Sequence, residues 1–294
     1  MNTSAGQRIL IGYDGSVPAA AAIEVAARLL PVAAVSITHV WTPPFGSEAL
    51  RHRLWRGTYA VNEFVAAIER EGEAEASRLA AMGATLAVAP GRETTTLVRR
   101  TYGGEGLQLA EIAGEIGADL IVVGSRGLGG ARAVLGSVSD MTVHYAPCPV
   151  LVVPHPLLQA EREALDSGPI LVGWDGSPGA AVAAETAAWM FADRRVIPVF
   201  VHDGETPDGT PPAGLVTLPD HGMAVEHGRA IGRALTAEAR SRQAAMLVVG
   251  SLGHSAVREI LLGSVTMATL HHAFRPVLVV PHGYATKRAE FLHG

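Results

Sequence analysis

Two apolar patterns alternate along this chain. Short unbroken runs of Val, Ile and Leu, such as "RILIG" at Arg8–Gly12 and "LIVVG" at Leu120–Gly124, read as strands buried on both faces. Between them lie alanine-rich stretches with the periodicity of helices, "PAAAAIEVAARLL" and "GAAVAAETAAWMF". Strand and helix in alternation predict an α/β fold with a parallel sheet covered by helices.

The pattern is written twice. "RILIGYDGS" returns as "PILVGWDGS", "LIVVGSRG" as "MLVVGSLG", "VLGSVSD" as "LLGSVTM" and "CPVLVVPH" as "RPVLVVPH". Asp14 and Asp175 stand 161 residues apart, but Gly124 and Gly250 only 126, so the second copy is 35 residues shorter between those points. In the first copy that interval holds "VNEFVAAIEREGEAEASRLAAMG", which has helical amphipathic spacing. The second offers "DGETPDGTPPAGLVTLPDHG", whose Pro, Gly and Asp predict a loop. The second domain is therefore expected to lack one crossover helix. The organisation reads as a first domain at 1–155, a polar Pro-bounded linker at 156–168, a second domain at 169–284 and a tail at 285–294.

Composition narrows the function. A chain of 294 residues, 48% apolar and 17% charged, is sized for two ordered domains. Its net charge of −5 gives no footprint for nucleic acid. The single cysteine, Cys148, excludes an intrachain disulfide and suits a reducing compartment; beside a buried-strand pattern it reads as a small core side chain. No run is long enough to span a bilayer and the N-terminus has no apolar core, so a cytoplasmic location without membrane attachment is expected. Lys287 is the one lysine, and no glycine-rich loop stands beside it, so a Walker A motif is absent; G-x-S-x-G is absent too.

The remaining chemistry sits at strand ends, where open parallel sheets bind ligands. Gly250 and Gly253 let backbone N–H groups approach an anion, and Gly263-Ser264 opens a helix whose free N–H groups suit phosphate. Asp175 is placed to accept hydrogen bonds from a base amine or ribose hydroxyls. Turn chemistry and helix capping are the alternative account of the same residues.

The spacing Gly250-x2-Gly253-x9-Gly263-Ser264, after a first strand ending in Asp, resembles the universal stress protein family. The whole chain is similar to a tandem member. The resemblance implies two five-stranded parallel-sheet domains of adenine-nucleotide-binding, Rossmann-like type. It implies ATP, alone or with Mg²⁺, as ligand. The implied ligand set in the second half is Gly173, Asp175, Val201, Val249, Gly250, Gly253, Gly263, Ser264 and Val265. In the first half it is Gly12, Asp14, Val40, Val123, Gly124, Gly127, Gly136, Ser137 and Val138.

The first half departs from the motif, with eight residues rather than nine between Gly127 and Gly136. A residue lost from the helix would turn every later position on it by about 100°, whereas a residue lost from the glycine-rich loop could be absorbed. His221 and His227 fit no common metal spacing, and His271-His272 suit a helix C-terminus. Trp41 and Trp55 read as packing or pocket wall.

The leading function is an ATP-binding stress-response regulator acting through conformation or partner affinity, since no catalytic set surrounds the motif. A slow ATPase or phosphotransferase and a nucleotide-free interaction scaffold are the alternatives. The apolar last strands are expected to pair the two halves pseudo-symmetrically through Val150–Val153 and Val277–Val280, and two chains to associate as a homodimer.

Overall fold

The computed structural model describes residues 6–43, 52, 61–125, 135–202, 211–219, 227–252 and 262–284. The first half runs β1 (Arg8–Gly12), α1 (Val17–Leu29), β2 (Ala34–Trp41), α2 (Val61–Ala87), β3 (Thr94–Arg100), α3 (Glu105–Glu115), β4 (Leu120–Gly124), α4 (Ser137–Tyr145) and β5 (Val150–Val153). After α5 (Gln159–Ser167), the second half runs β6 (Ile170–Gly173), α6 (Pro178–Met190), β7 (Val196–His202), β8 (Val216–Pro219), α7 (His227–Ser241), β9 (Met246–Gly250), α8 (Ser264–His272) and β10 (Val277–Val280). Among the described residues no helix lies between β7 and β8, where α2 lies in the first half, as the loop-like sequence there implied. That same stretch is not loop throughout, because β8 forms within it by pairing with β7.

The strands form one ten-stranded sheet in the order β3-β2-β1-β4-β5-β10-β9-β6-β7-β8. Within each half all pairs are parallel; the halves meet where β5 and β10 pair antiparallel, with Leu151 opposite Leu278. Both strands are buried along their whole length. Their apolar runs therefore pair with each other, in the way their sequences predicted. Chain order reverses between β1 and β4, and again between β6 and β9. Those are the two points where a parallel sheet opens a crevice at its carboxyl ends.

The segment 156–168 is more than the linker its polar sequence suggested. It contains α5, whose Ala164 and Leu165 are buried. The helix is pinned to α1 by Arg162–Glu24 at 2.9 Å and Arg28–Asp166 at 3.3 Å. Arg194, beyond α6, donates to the carbonyl of Leu165 at 2.7 Å. A run of good helix formers gained enough contact on both sides to be ordered. Its Glu161 is buried, as is Arg275 just before β10. Burial holds the Arg275 guanidinium below its ordinary value, and the Glu161 charge partly opposes that. Arg275 donates to the carbonyl of Ala244 at 2.5 Å. Cys148 is buried, in keeping with a core role.

Candidate nucleotide site

Each half carries the same turn at the end of its first strand. Asp14 Oδ1 accepts the backbone N–H of Ser16 at 2.9 Å, and Asp175 Oδ1 accepts that of Ser177 at 2.9 Å. The intervening Gly15 and Gly176 both have φ of +82°, a left-handed conformation that glycine adopts without strain. Ser16 and Ser177 then cap α1 and α6 by accepting from Ala19 and Ala180, each at 3.2 Å. The Asp-Gly-Ser motif is thus a strand-to-helix corner, and each Asp stands half-buried at the crevice. Tyr13 N–H bonds the carbonyl of Thr38 at 2.9 Å and Trp174 N–H that of Val199 at 2.8 Å, tying the corner to the neighbouring strand. Val40 and Val201 lie two residues beyond those carbonyls on β2 and β7.

The paired Gly-Ser motifs are bonded to each other. Gly136 N–H donates to the carbonyl of Ser125, and Gly263 N–H to that of Ser251, each at 2.8 Å. The Ser139 hydroxyl donates to the carbonyl of Gly124 at 2.7 Å, and the Thr266 hydroxyl to that of Gly250 at 2.6 Å. These ties hold the start of α4 against the end of β4, and the start of α8 against the end of β9. Gly136 and Gly263 are the cap residues, and neither helix receives a side-chain cap. Ser137 and Ser264 are exposed first-turn residues and do not cap their helices; the Ser264 side chain lies against Gly228 of α7. Uncapped N–H groups at the positive end of a helix suit an anion.

Other glycines of the set have packing reasons. A Cβ at Gly124 would lie 2.9 Å from the backbone of Pro18, and one at Gly250 would lie 3.0 Å from that of Gly179. Both glycines therefore let the first helix of each half start directly against the fourth strand. A Cβ at Gly12 would meet Leu109 at 3.0 Å and Val123 at 3.3 Å; at Gly173 it would meet Leu235 at 3.3 Å and Val249 at 3.4 Å. Val123 and Val249 are buried core residues, and Val138 and Val265 are partly buried against the core. Gly127, Gly253, Trp55 and His221 lie outside the described residues.

The irregular spacing of the first half does not rotate its helix. The cap dihedrals are φ −64°, ψ 149° at Gly136 and φ −62°, ψ 151° at Gly263. The ties on either side match in partner and length. The one-residue difference is therefore confined between Ser125 and Leu135. Ser139 and Thr266 are positioning residues that the glycine motif does not include, although "GSVS" and "GSVT" put a hydroxyl at the same helical position in both copies.

The surroundings differ. In the first half α2 covers β2 and β3, and Trp41 is buried there, its ring so close to Gly72 that a Cβ at that position would clash with it. Trp41 is thus a packing residue. Asp140 lies in the first turn of α4, whereas the first turn of α8 has no acidic residue. No cluster of three His, Cys, Asp or Glu occurs among the described residues, and none of their helices is long and apolar enough to cross a membrane.

Comparison with known proteins accords with this architecture. The model of the universal stress protein family matches residues 6–154 and 218–281. A universal stress protein of Mycolicibacterium smegmatis is 30% identical over 304 residues, covering 92% of this chain and 96% of its own. One from Thermus aquaticus is 36% identical over 155 residues, covering 49% of this chain and 96% of its own. The crystal structure of a universal stress protein from Archaeoglobus fulgidus superposes with a TM-score of 0.59 at 16% identity, covering 94% of this chain and 97% of that one. With the family pattern matched in both halves and a relative aligned along nearly its whole length, this chain belongs to the universal stress protein family, a family of stress-response proteins.

Proposed function

We propose that the chain is an ATP-binding regulatory protein that takes one nucleotide at the switch point of each half. The observation that carries this reading is the repetition of one arrangement. In both halves a carboxylate corner and an uncapped helix start face the same crevice, held by matching hydrogen bonds. The adenosine would sit toward Asp14 and Val40 in one half, and toward Asp175 and Val201 in the other. The phosphates would lie on the backbone from Gly124 to Ser137, and from Gly250 to Ser264. A phosphate chain fits an uncapped helix start because the N–H groups there are already aimed outward and the dipole favours negative charge. Regulation rather than turnover is favoured by the residues this arrangement uses: most are backbone donors and glycines, which hold a nucleotide without supplying a base.

Freshly purified protein should release adenine nucleotide on denaturation, identified by chromatography and mass, at two equivalents per chain. Asp14→Ala and Asp175→Ala should each remove about one equivalent, since each takes away the carboxylate of one crevice. Absence of released nucleotide, together with no calorimetric heat on adding ATP–Mg²⁺, would overturn the proposal.

A further inference from the structure

A groove of about 690 Å³ runs along the seam between the halves. That is the size of a small-molecule site. The antiparallel pairing of β5 with β10 creates it, because the carboxyl end of β5 then lies beside the start of β10. One wall belongs to the first half and includes Ser125 and Leu135, which flank its glycine motif in sequence, and His155. The other wall belongs to the second half: α7 contributes Arg233, Thr236, Ala237 and Arg240, and the end of α8 contributes His271 and His272. Positions 233, 236, 237 and 240 share one face of α7 by helical spacing.

The groove is cationic. Among the described residues no Asp or Glu lines it. Both arginines are exposed. The His272 imidazole is held below its ordinary value, by burial first and then by the nearby charges of Arg233, His271 and Arg229. The field along this wall is therefore positive. His155 Nδ1 is buried on the facing wall without a hydrogen-bond partner among the described residues.

We propose that this groove is a polyphosphate subsite continuous with the first half's crevice, in which Arg233 and Arg240 of the second half hold the phosphate chain of a nucleoside polyphosphate seated in the first half. The proposal rests on the nucleotide reading and adds a contact across the seam, so that occupancy of one half is sensed by the other.

The pseudo-twofold-related positions of the first half do not carry these arginines. Gly117 N–H bonds the carbonyl of Gly114 at 3.2 Å, and Gln243 N–H that of Arg240 at 3.1 Å; Ala118 and Ala244 likewise bond Ala113 and Ala239. These matched bonds equate Arg240 with Gly114 and Arg233 with Leu107. The cationic wall thus serves the half with the shorter glycine spacing and an acidic first turn on α4, where added positive charge has the most to offset.

The test is calorimetric titration of the full chain with ATP–Mg²⁺ and, separately, with inorganic triphosphate. The proteins compared are the wild type, R233Q/R240Q and R233K/R240K. Triphosphate should bind the wild type, and more weakly as salt is raised. The glutamine pair should abolish that binding and weaken ATP at one of two sites by roughly tenfold or more. The lysine pair should keep most of both, because the charge remains. Equal affinities for both probes in the wild type and the glutamine pair would overturn the proposal, as would two occupied ATP sites with no triphosphate binding. If ATP fails to bind but triphosphate binds in an arginine-dependent way, the groove stands as an anion site and the nucleotide reading falls. If neither probe binds, both fall.

Discussion

The two halves share their inner framework and differ in what surrounds it. The corner bonds of Asp14 and Asp175 have one length, the Gly-Ser ties another, and the Gly136 and Gly263 caps agree within two degrees. Around that framework the first half has α2, an acidic first turn on α4 and a cationic wall lent by its neighbour. The second half has no helix described between β7 and β8, and in place of the two arginines it would face Leu107 and Gly114. The lesson is that the backbone frame and the ligand environment are separable. Hydrogen bonds between strand ends and helix starts are met locally within each copy. The charge around each crevice depends on which face of the other half is turned toward it.

Breaking the seam gives the largest expected effect. Leu151 is fully buried opposite Leu278. Leu151→Asp places an unpaired carboxylate in the shared core and should destabilise the chain by about 4 kcal/mol or more. Urea denaturation followed by circular dichroism measures this. A midpoint equal to that of the wild type would show that burial at this position, against β4 as well as β10, carries little of the stability.

A smaller effect tests the equivalence of the two frames. Ser139→Ala and Thr266→Val each remove a buried hydroxyl that bonds a strand-end carbonyl. Each should cost about 1 kcal/mol, with similar values in the two halves. A loss confined to one half, seen in the same denaturation experiment, would show that the frames are not energetically alike.

The smallest effect belongs to a one-sided feature. Glu115 pairs with Arg99 at 2.6 Å, and the position matching Glu115 in the second half is Ser241. The hydrogen bond from Arg99 holds the Glu115 carboxyl below its ordinary value, and the guanidinium charge adds to it. A depressed folded-state value means that this contribution to stability is complete above the ordinary carboxylate range and is lost as pH falls through the lowered value. Titration by NMR should show the Glu115 midpoint below that of an unpaired glutamate, and Arg99→Gln should return it. An unchanged midpoint in the variant would rule the pairing out as the cause. Because the pair is exposed, little change in overall stability accompanies it.

Much of this architecture is legible in the chain itself. Unbroken Val and Ile runs define buried strands because only a sheet covered on both faces can hide them. The repeated Asp-Gly-Ser and Gly-Ser pairs locate the crevices, since left-handed glycines and helix starts have strong local preferences. That no helix is described between β7 and β8 matches a change in the sequence there from amphipathic spacing to Pro and Gly. Those signals are local, and local chemistry is what a sequence states most directly. Other features were decided only by the fold. Helix α5 formed inside an apparent linker because α1 and Arg194 were there to receive it. The one-residue irregularity left α4 in place because ties on both sides confined it to the interval between Ser125 and Leu135. The facing of Arg233 and Arg240 toward the first half came from the antiparallel meeting of β5 with β10, a contact between residues more than a hundred positions apart. The apolar last strands marked that pairing in advance, but not which side chains of α7 it would turn toward the first half, because that is settled only once two complete sheets have formed and joined.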